Sequence, residues 1–307
     1  MQKMAFVVPT KDRPDYLRVL LNSLKRQTLK PTQLIVVDGS NPDIRFVVEE
    51  FLELNIDYVR VFPPSLAEQR NVGMRHLRDD ITLAGYLDDD LELESDAIEK
   101  MLVFWDHSPS DLGGAAFNIT NAPKPNTAKV KFRQWFGLDC VQPGKVLPSG
   151  FTSTLNWEQS DIKPDWLCGG ATVWRREIVN QYSFDQWFQG TGYLEDLDFS
   201  FNVRGKYSLA LVEHARVVNR SPPMRADAHY LLGKWQIINR MYLVRKYRNR
   251  GLSVPSACLA SIALLVMHLA RALIRLDRAC WDRARGNAVG ILLELLGKKH
   301  QIGGFLK

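Results

Sequence analysis

Three consecutive aspartates, Asp88, Asp89 and Asp90, follow directly on the apolar run "ITLAGYL" at residues 81–87. Side by side, three carboxylates repel one another unless water, a cationic side chain or a metal ion screens them. The residue types fit either a solvated acidic turn or a site for a hard cation such as Mg2+ or Mn2+, which prefers oxygen ligands. A second acidic group, "YLEDLDF", carries Glu195, Asp196 and Asp198. A carboxylate there can take the proton of an attacking hydroxyl, or it can simply favour the first turn of a helix. Asp38, in "VVDGS", is equally suited to holding a ligand and to capping a turn. In "WLCGG", Trp166 offers a flat face for stacking or for the core, and Gly169 and Gly170 let other groups approach the backbone closely.

Several chemistries are excluded by what surrounds these residues. The first apolar run, "MAFVVP", is followed by "PTKDRPD", which lacks the glycines a dinucleotide-binding turn needs. No phosphate loop of the GxxxxGK[ST] type, no GxSxG elbow and no HExxH helix occurs. What remains is rich in carboxylates.

These residues must be positioned by something, and the first half of the chain alternates in period. Apolar runs at 4–9, 33–38, 58–62 and 81–88 read as strands. Between them, 15–27, 44–54, 66–78 and 96–107 read as helices. In the first of these Leu17, Leu20, Leu21 and Leu24 fall on one face behind Pro14. This alternation predicts an α/β sheet, mostly parallel and covered on both faces. Ligands of such sheets bind beyond the carboxyl ends of the strands, where "PTKDRPD", "DGSNPD" and "DDD" stand. Residues 120–165, mixed in proline, polar and aromatic residues, read as an irregular insertion over the site. Leu197, Phe199 and Val203 then form a buried helical stripe, followed by a returning strand, "YSLALVEH".

In order along the chain, "VVPTKDRPDYLRVLLNSLKRQTLKPTQLIVVDGS", "AEQRNVGM", "YLDDDLEL", "WLCGGATVWRR" and "YLEDLDFSFNV" resemble the family two glycosyltransferases, over about residues 4–217. The resemblance implies the Rossmann-like GT-A fold, a nucleotide-diphosphate-sugar donor and inversion at the anomeric carbon. It implies that Asp88 and Asp90 form a DxD pair, with Asp90 on a divalent cation and Asp88 and Asp89 facing the ribose or a metal-bound water. Asp38 would hydrogen-bond the base, with Pro9, Thr10, Asp12 and Arg13 lining the same pocket and Arg70 and Asn71 seating the donor. Asp196 would be the general base, Glu195 would touch the acceptor, and Asp198 is the weakest of the three candidates. Trp166, Gly169 and Gly170 would lie beneath sugar and acceptor. His214, ending the returning strand, would be a further metal ligand; on its residue type alone it is a structural histidine.

The net charge of +6 conceals an asymmetry: residues 220–307 hold sixteen Lys and Arg against four Asp and Glu. The chain divides, on this basis, into a catalytic domain at 1–225 and a basic helical extension at 226–307. Helices are expected at 228–251, 256–281 and 288–299. The apolar stretch 257–270, short of the roughly 20 residues that span a bilayer, with Arg271, Arg275 and Arg278 behind it, predicts amphipathic helices lying on anionic headgroups. Closure of the fold or a dimer would use the same helices. No nucleic-acid reader motif accompanies the charge. Four scattered cysteines, and an N-terminus with too short an apolar core for a signal peptide, predict a cytoplasmic protein, peripheral on the inner face of the membrane. The expected activity is sugar transfer to a saccharide or lipid-linked saccharide, of the O-antigen or exopolysaccharide kind, assisted by Mn2+ or Mg2+. Two rivals are a sugar-1-phosphate nucleotidyltransferase, for which the glycine-rich first loop is missing, and a non-catalytic membrane scaffold.

Overall fold

The structure is a computed structural model and describes residues 2–123, 126–155, 163–188, 190 and 192–297. The chain groups into two compact units, one of residues 1–124 and 155–221 and the other of 125–154 and 222–307.

In the first unit β1 (Met4–Thr10), β2 (Gln33–Asp38) and β4 (Leu83–Leu87) are buried along their whole length. Such runs form because both faces of the sheet are covered. Met4, Phe6 and Val8 point into one apolar layer with Leu17, Leu20, Leu21 and Leu24 of α1 (Pro14–Lys25). Ala5 and Val7, one residue out of phase, point into the other layer with Ala67 of α3 (Leu66–Arg75). With β3 (Ile56–Arg60), β5 (Leu91–Leu93), β6 (Leu112–Ile119), β7 (Ala171–Arg175) and β8 (Ser208–Asn219), eight described strands form one sheet ordered β3-β2-β1-β4-β7-β6-β8-β5. Four pairings are parallel, and those of β4 with β7, β6 with β7 and β5 with β8 are antiparallel, so the sheet is mixed.

The chain steps outward from β1 to β2 and β3, then returns to the other side of β1 with β4. That reversal opens a crevice at the carboxyl ends of β1 and β4. Because β7 runs against β4, its first residues lie at the same end, with Ala171 opposite Leu87. The end of β8 arrives there too, since the Arg220 N–H donates to the Asp90 carbonyl at 2.7 Å.

Some elements differ from the sequence expectation. The helix expected over 44–54 is one short turn, α2 (Arg45–Glu49), followed by a 3-10 turn that ends on left-handed Asn55. β6 contains Gly113 and Gly114, which disfavour a strand on propensity. A Cβ on Gly114 would stand 2.4 Å from the Trp174 ring, and one on Gly113 2.7 Å from Tyr207. The remaining helices of this unit are α4 (Ala97–Asp106), α6 (Arg176–Gln181) and α7 (Glu195–Val203).

In the second unit a short helix, α5 (Thr127–Gln134), lies within the stretch expected to be irregular. Of that stretch, residues 124–125 and 156–162 lie outside the described residues. Three helices follow: α8 (Ala228–Lys246), α9 (Val254–Arg275) and α10 (Arg278–Leu295). The last two meet at 276–277 rather than beyond 281, because Leu276 turns left-handed and the Asp277 side chain caps α10 by accepting from the Cys280 N–H. The final residues of the helix expected over 288–299 lie outside the described residues. α8 and α10 pack backbone to backbone: a Cβ on Gly233 would stand 2.2 Å from the Arg283 carbonyl oxygen. Asn287, fully buried, joins all three helices, donating to the Gly233 carbonyl at 2.7 Å and facing His268 Nδ1 at 2.7 Å.

Candidate active site at the carboxyl ends of β1 and β4

β4 runs straight into the acidic turn. Thr10 Oγ1, at the end of β1, donates to Asp89 Oδ2 at 2.8 Å. Arg13 Nη1, just before α1, reaches Asp89 Oδ1 at 3.2 Å and Asp90 Oδ2 at 3.1 Å. Ser221 Oγ, beyond β8, donates to the same Asp90 oxygen at 2.7 Å. Burial, with the neighbouring Asp88 and Asp90 charges adding to it, pushes the Asp89 carboxyl up to about 7 against the pull of Arg13 and Thr10. Burial raises Asp90 as well.

Arg70, on α3 and only 2% exposed, ties this turn to α7. Its Nη2 donates to Asp88 Oδ1 at 2.7 Å and its Nη1 donates to Glu195 Oε1, while its guanidinium lies over the Tyr86 and Phe184 rings. One guanidinium faces three acids, Glu195, Asp88 and Asp196. Burial therefore prevails at Glu195, whose carboxyl is pushed up to about 8. Its Oε2 is buried without a hydrogen-bond partner and faces Gly192, where a Cβ would lie 2.0 Å away. Leu194, immediately before the acids, holds a left-handed φ of 74° that a leucine adopts only at a cost.

Gly169 and Gly170 form the corner between the two acidic groups. The Gly169 N–H donates to Asp196 Oδ2 at 3.2 Å, and the Asp88 N–H donates to the Gly170 carbonyl at 2.8 Å. A Cβ on Gly169 would stand 2.7 Å from Asp196 Cβ, and one on Gly170 1.9 Å from Asp88 Oδ2. Only bare backbone admits both carboxylates. Burial also raises the Asp196 carboxyl and takes the neighbouring Cys168 thiol up to about 12, so that thiol is not a nucleophile.

The structure thus brings Thr10, Arg13, Asp88, Asp89, Asp90, Arg70, Glu195, Asp196, Gly169 and Gly170 together, with Pro9 buried one residue before Thr10. The other predicted residues are placed differently. Asp38 is fully buried, accepting from the Ser40 and Ile44 N–H groups and the Tyr58 hydroxyl, with Arg60 at 3.5 Å. Burial alone would raise this carboxyl, but those hydrogen bonds outweigh it and hold it below its ordinary value. Asp12, at a φ of 55°, accepts from the Asn41 N–H and braces the same loop. Asn71 is spent on the Phe184 backbone, which it meets with both amide atoms at 2.9 Å. Trp166 is half-buried against the core, its indole nitrogen unpartnered. Asp198 is buried one turn into α7. His214 is exposed on β8, inside the irregularity where the pairing with β6 skips from Val212 to Arg216, and among the described residues it forms no metal-holding group with the acids. It does not join the aspartates. Sequence reasoning missed Ser221 and Gln69, whose buried amide donates to the Thr10 and Val37 carbonyls and pins the ends of β1 and β2. The "EQRN" run contains Gln69, but only the sheet topology reveals its partners.

The model of the family described as Glycosyl transferase family 2 matches residues 5–182, more than half of the chain. The chain belongs to glycosyl transferase family 2. It is similar in fold to the mannosyltransferase PcManGT from Pyrobaculum calidifontis in complex with GDP-Man and Mn2+, at 14% identity and a TM-score of 0.58, over 97% of this chain and 88% of that one. S. aureus TarS 1-349 in complex with UDP aligns at 14% identity and a TM-score of 0.54, over 98% and 93%. Against the longer TarS chain, at 16% identity and a TM-score of 0.52, this glycosyltransferase covers 82% of its own length and 44% of the other. At such identities the likeness shows the GT-A fold alone. No curated protein matches this glycosyltransferase by sequence.

Among the described residues no three His, Cys, Asp or Glu side chains are grouped to hold a metal by themselves. Asp88 Oδ2 and Asp90 Oδ1 nevertheless accept no hydrogen bond there. Two carboxylates are what a Mg2+-like ion takes from protein when phosphate oxygens and water complete its shell. The donor set fits such an ion.

Proposed function

We propose that this glycosyltransferase moves a sugar from a nucleotide-diphosphate sugar to a hydroxyl of a saccharide or lipid-linked saccharide, inverting the anomeric carbon in one direct displacement. The observation that carries the reading is the Gly169–Gly170 corner, which leaves Asp88 and Asp196 on neighbouring faces of one bare stretch of backbone. Asp196 takes the acceptor's proton while the hydroxyl oxygen bonds to the anomeric carbon and the bond to the diphosphate breaks. Its raised carboxyl suits that task, since a base with a higher pKa accepts the proton more readily. The Gly169 N–H fixes the carboxylate's orientation, and Arg70 holds Asp88 and Glu195 in place. A divalent ion held by Asp88 and Asp90 would neutralise charge on the departing diphosphate. Thr10 and Arg13 position Asp89 and Asp90 for it, and Asp38 shapes the loop against which the base would rest. PcManGT with GDP-Man and Mn2+, and TarS with UDP, share the fold and lend this reading support.

We further propose a cytoplasmic setting with peripheral membrane contact through the basic C-terminal helices. The support is the excess of Lys and Arg over residues 220–307 and the apolar length of α9.

Thermal unfolding with UDP, GDP or dTDP, each with Mn2+ or EDTA, tests the donor half. Ligand at a hundredfold excess over its Kd stabilises by about 2.7 kcal/mol. A metal-dependent rise with one nucleotide, lost in Asp90→Ala, is expected. No rise with any nucleotide would overturn the reading in favour of a non-catalytic scaffold.

A further inference from the structure

α9 is 22 residues long, and among the described residues it is the one helix long and apolar enough to cross a membrane. Only about a third of its most apolar window is buried. The expectation from the 14-residue apolar core understated it. Leu259, Ile262, Val266 and Leu273 follow one another at helical spacing and are all more than half exposed. On α10 Trp281 and Leu292, eleven residues apart and so on one side of that helix, are exposed as well. The most exposed apolar residues of these two helices stand where they meet: Ile274 is 80% and Leu276 89% exposed. Single exposed leucines need no explanation, but an apolar stripe along α9 that ends in an apolar tip does.

Charge decides what covers it. Residues 271–285 carry five arginines and two aspartates. Both aspartates are engaged: Asp277 caps α10 and faces Arg271 at 3.4 Å, and Asp282 faces Arg285 at 3.5 Å. Arg275 and Arg278 flank the tip and are exposed. A second copy of this chain would oppose arginines to arginines. An anionic lipid surface complements them, since basic groups near such a surface are attracted to it. The same unit also exposes Phe132 and Trp135, at 60% and 85%, beside Lys131 and Arg133 on α5. Aromatic and basic residues together are the composition of a membrane interface.

We propose that the tip of the α9–α10 hairpin is a wedge that enters the headgroup region of an anionic bilayer. Ile274, Leu276 and Trp281 embed, and Arg275 and Arg278 engage phosphates. The inference gives a place to the peripheral contact proposed above and takes its purpose from that reading, but it stands on the hairpin alone.

The full chain is floated with vesicles of phosphatidylglycerol and phosphatidylcholine in equal parts, and with phosphatidylcholine alone, without donor. Flotation with the anionic vesicles, falling with added salt, is expected. Ile274→Glu with Leu276→Asn should lower it at least tenfold; both sites are exposed, and asparagine suits the left-handed φ of 51° at 276. The pair should leave the unfolding midpoint and nucleotide-dependent stabilisation unchanged. Arg275→Gln with Arg278→Gln should remove most of the preference for anionic vesicles. Failure of the wild type to float would overturn the wedge while leaving sugar transfer intact. So would flotation unaffected by the tip variant, a dimer that the tip variant dissociates, or resistance to alkaline extraction, which would mark a spanning helix.

Discussion

Replacing Arg70 by methionine isolates the contact that joins the acidic turn to α7. The methionine fills the slot over Tyr86 and Phe184 but leaves Glu195 buried without its cation. Breaking a buried pair by removing one partner costs about 3–5 kcal/mol when the survivor stays charged. Asp88 adds little, its side chain being 40% exposed and able to turn to water. Glu195 titrates near 8, so the cost depends on pH. At about pH 8.5 roughly three-quarters of the wild type is ionised, but the variant's Glu195, without its cation, keeps its proton, so the loss there exceeds that near pH 6 by about 0.8 kcal/mol, or roughly 2–3 °C in unfolding midpoint. At about pH 6 Glu195 holds a proton in both proteins, and the loss shrinks to about 1–2 kcal/mol for one hydrogen bond and imperfect packing. Adding Glu195→Gln to the variant should restore more stability at the higher pH than at the lower, because the cost of keeping the proton grows with pH above 4.5. Urea unfolding followed by circular dichroism at both pH values reads all four proteins as a double-mutant cycle. Equal losses at the two pH values, or a double variant no more stable than Arg70→Met, would refute the account of one guanidinium compensating a buried acid.

Other perturbations separate stability from chemistry. The Glu195 carboxyl is raised from its ordinary 4.5 to about 8, so the stability it confers by holding a proton is complete below 4.5 and is lost as the pH rises through 8. Stability of the wild type to heat should therefore fall from about pH 4.5 to 8 and level off above, and Glu195→Gln should flatten that slope. Gly170→Ala should displace the Asp88 carboxylate and lower sugar transfer at least tenfold, with little change in unfolding midpoint, because the displaced group is a half-exposed side chain. Gly233→Ala meets backbone instead and should cost about 1–3 kcal/mol in unfolding measurements while leaving nucleotide binding alone. Asp196→Asn should lower turnover by about two to four orders of magnitude and abolish the acidic limb of the pH–rate profile, while nucleotide still stabilises the protein. In the wild type that limb should lie above the ordinary carboxylate range, since activity needs the raised carboxyl deprotonated.

The parallel core was legible because burial on both faces leaves a plain trace: "MAFVVP", "QLIVVD" and "ITLAGYL" are unbroken apolar runs, and they are β1, β2 and β4. β6 was not, because its glycines are dictated by Trp174 and Tyr207, residues distant in sequence. The α9–α10 boundary was hidden for a local reason, a single left-handed leucine before an aspartate cap inside a continuous helical pattern. At the site, the acids could be picked out by type, but their partners could not. Asp38 had two readings on the sequence, and four internal donors now surround it. Ser221 meets Asp90 from 131 residues away, a pairing set by the antiparallel entry of β5 beside β8.

The balance of charge around the corner leads to one further test. Asp88, Asp89, Asp90, Glu195 and Asp196 are five carboxylates, and among the described residues Arg13 and Arg70 are the cations paired with them. The upward push on Asp89, Asp90, Glu195 and Asp196 has burial as its largest cause, and neighbouring acids add to it at each. A diphosphate arriving there brings more negative charge to a site already short of positive charge. It is repelled unless a cation accompanies it. Nucleotide affinity should then be weak in EDTA and rise with Mn2+. Asp90→Asn removes one negative charge and one oxygen ligand together, so its two effects have opposite signs. Metal-free nucleotide binding should tighten, because repulsion falls, while the gain from Mn2+ should largely disappear. Calorimetric titration of the nucleoside diphosphate with and without Mn2+ measures both. If Asp90→Asn weakened binding equally under the two conditions, Asp90 would be a contact to the nucleotide itself, and the charge deficit would not be what selects a metal-bound diphosphate.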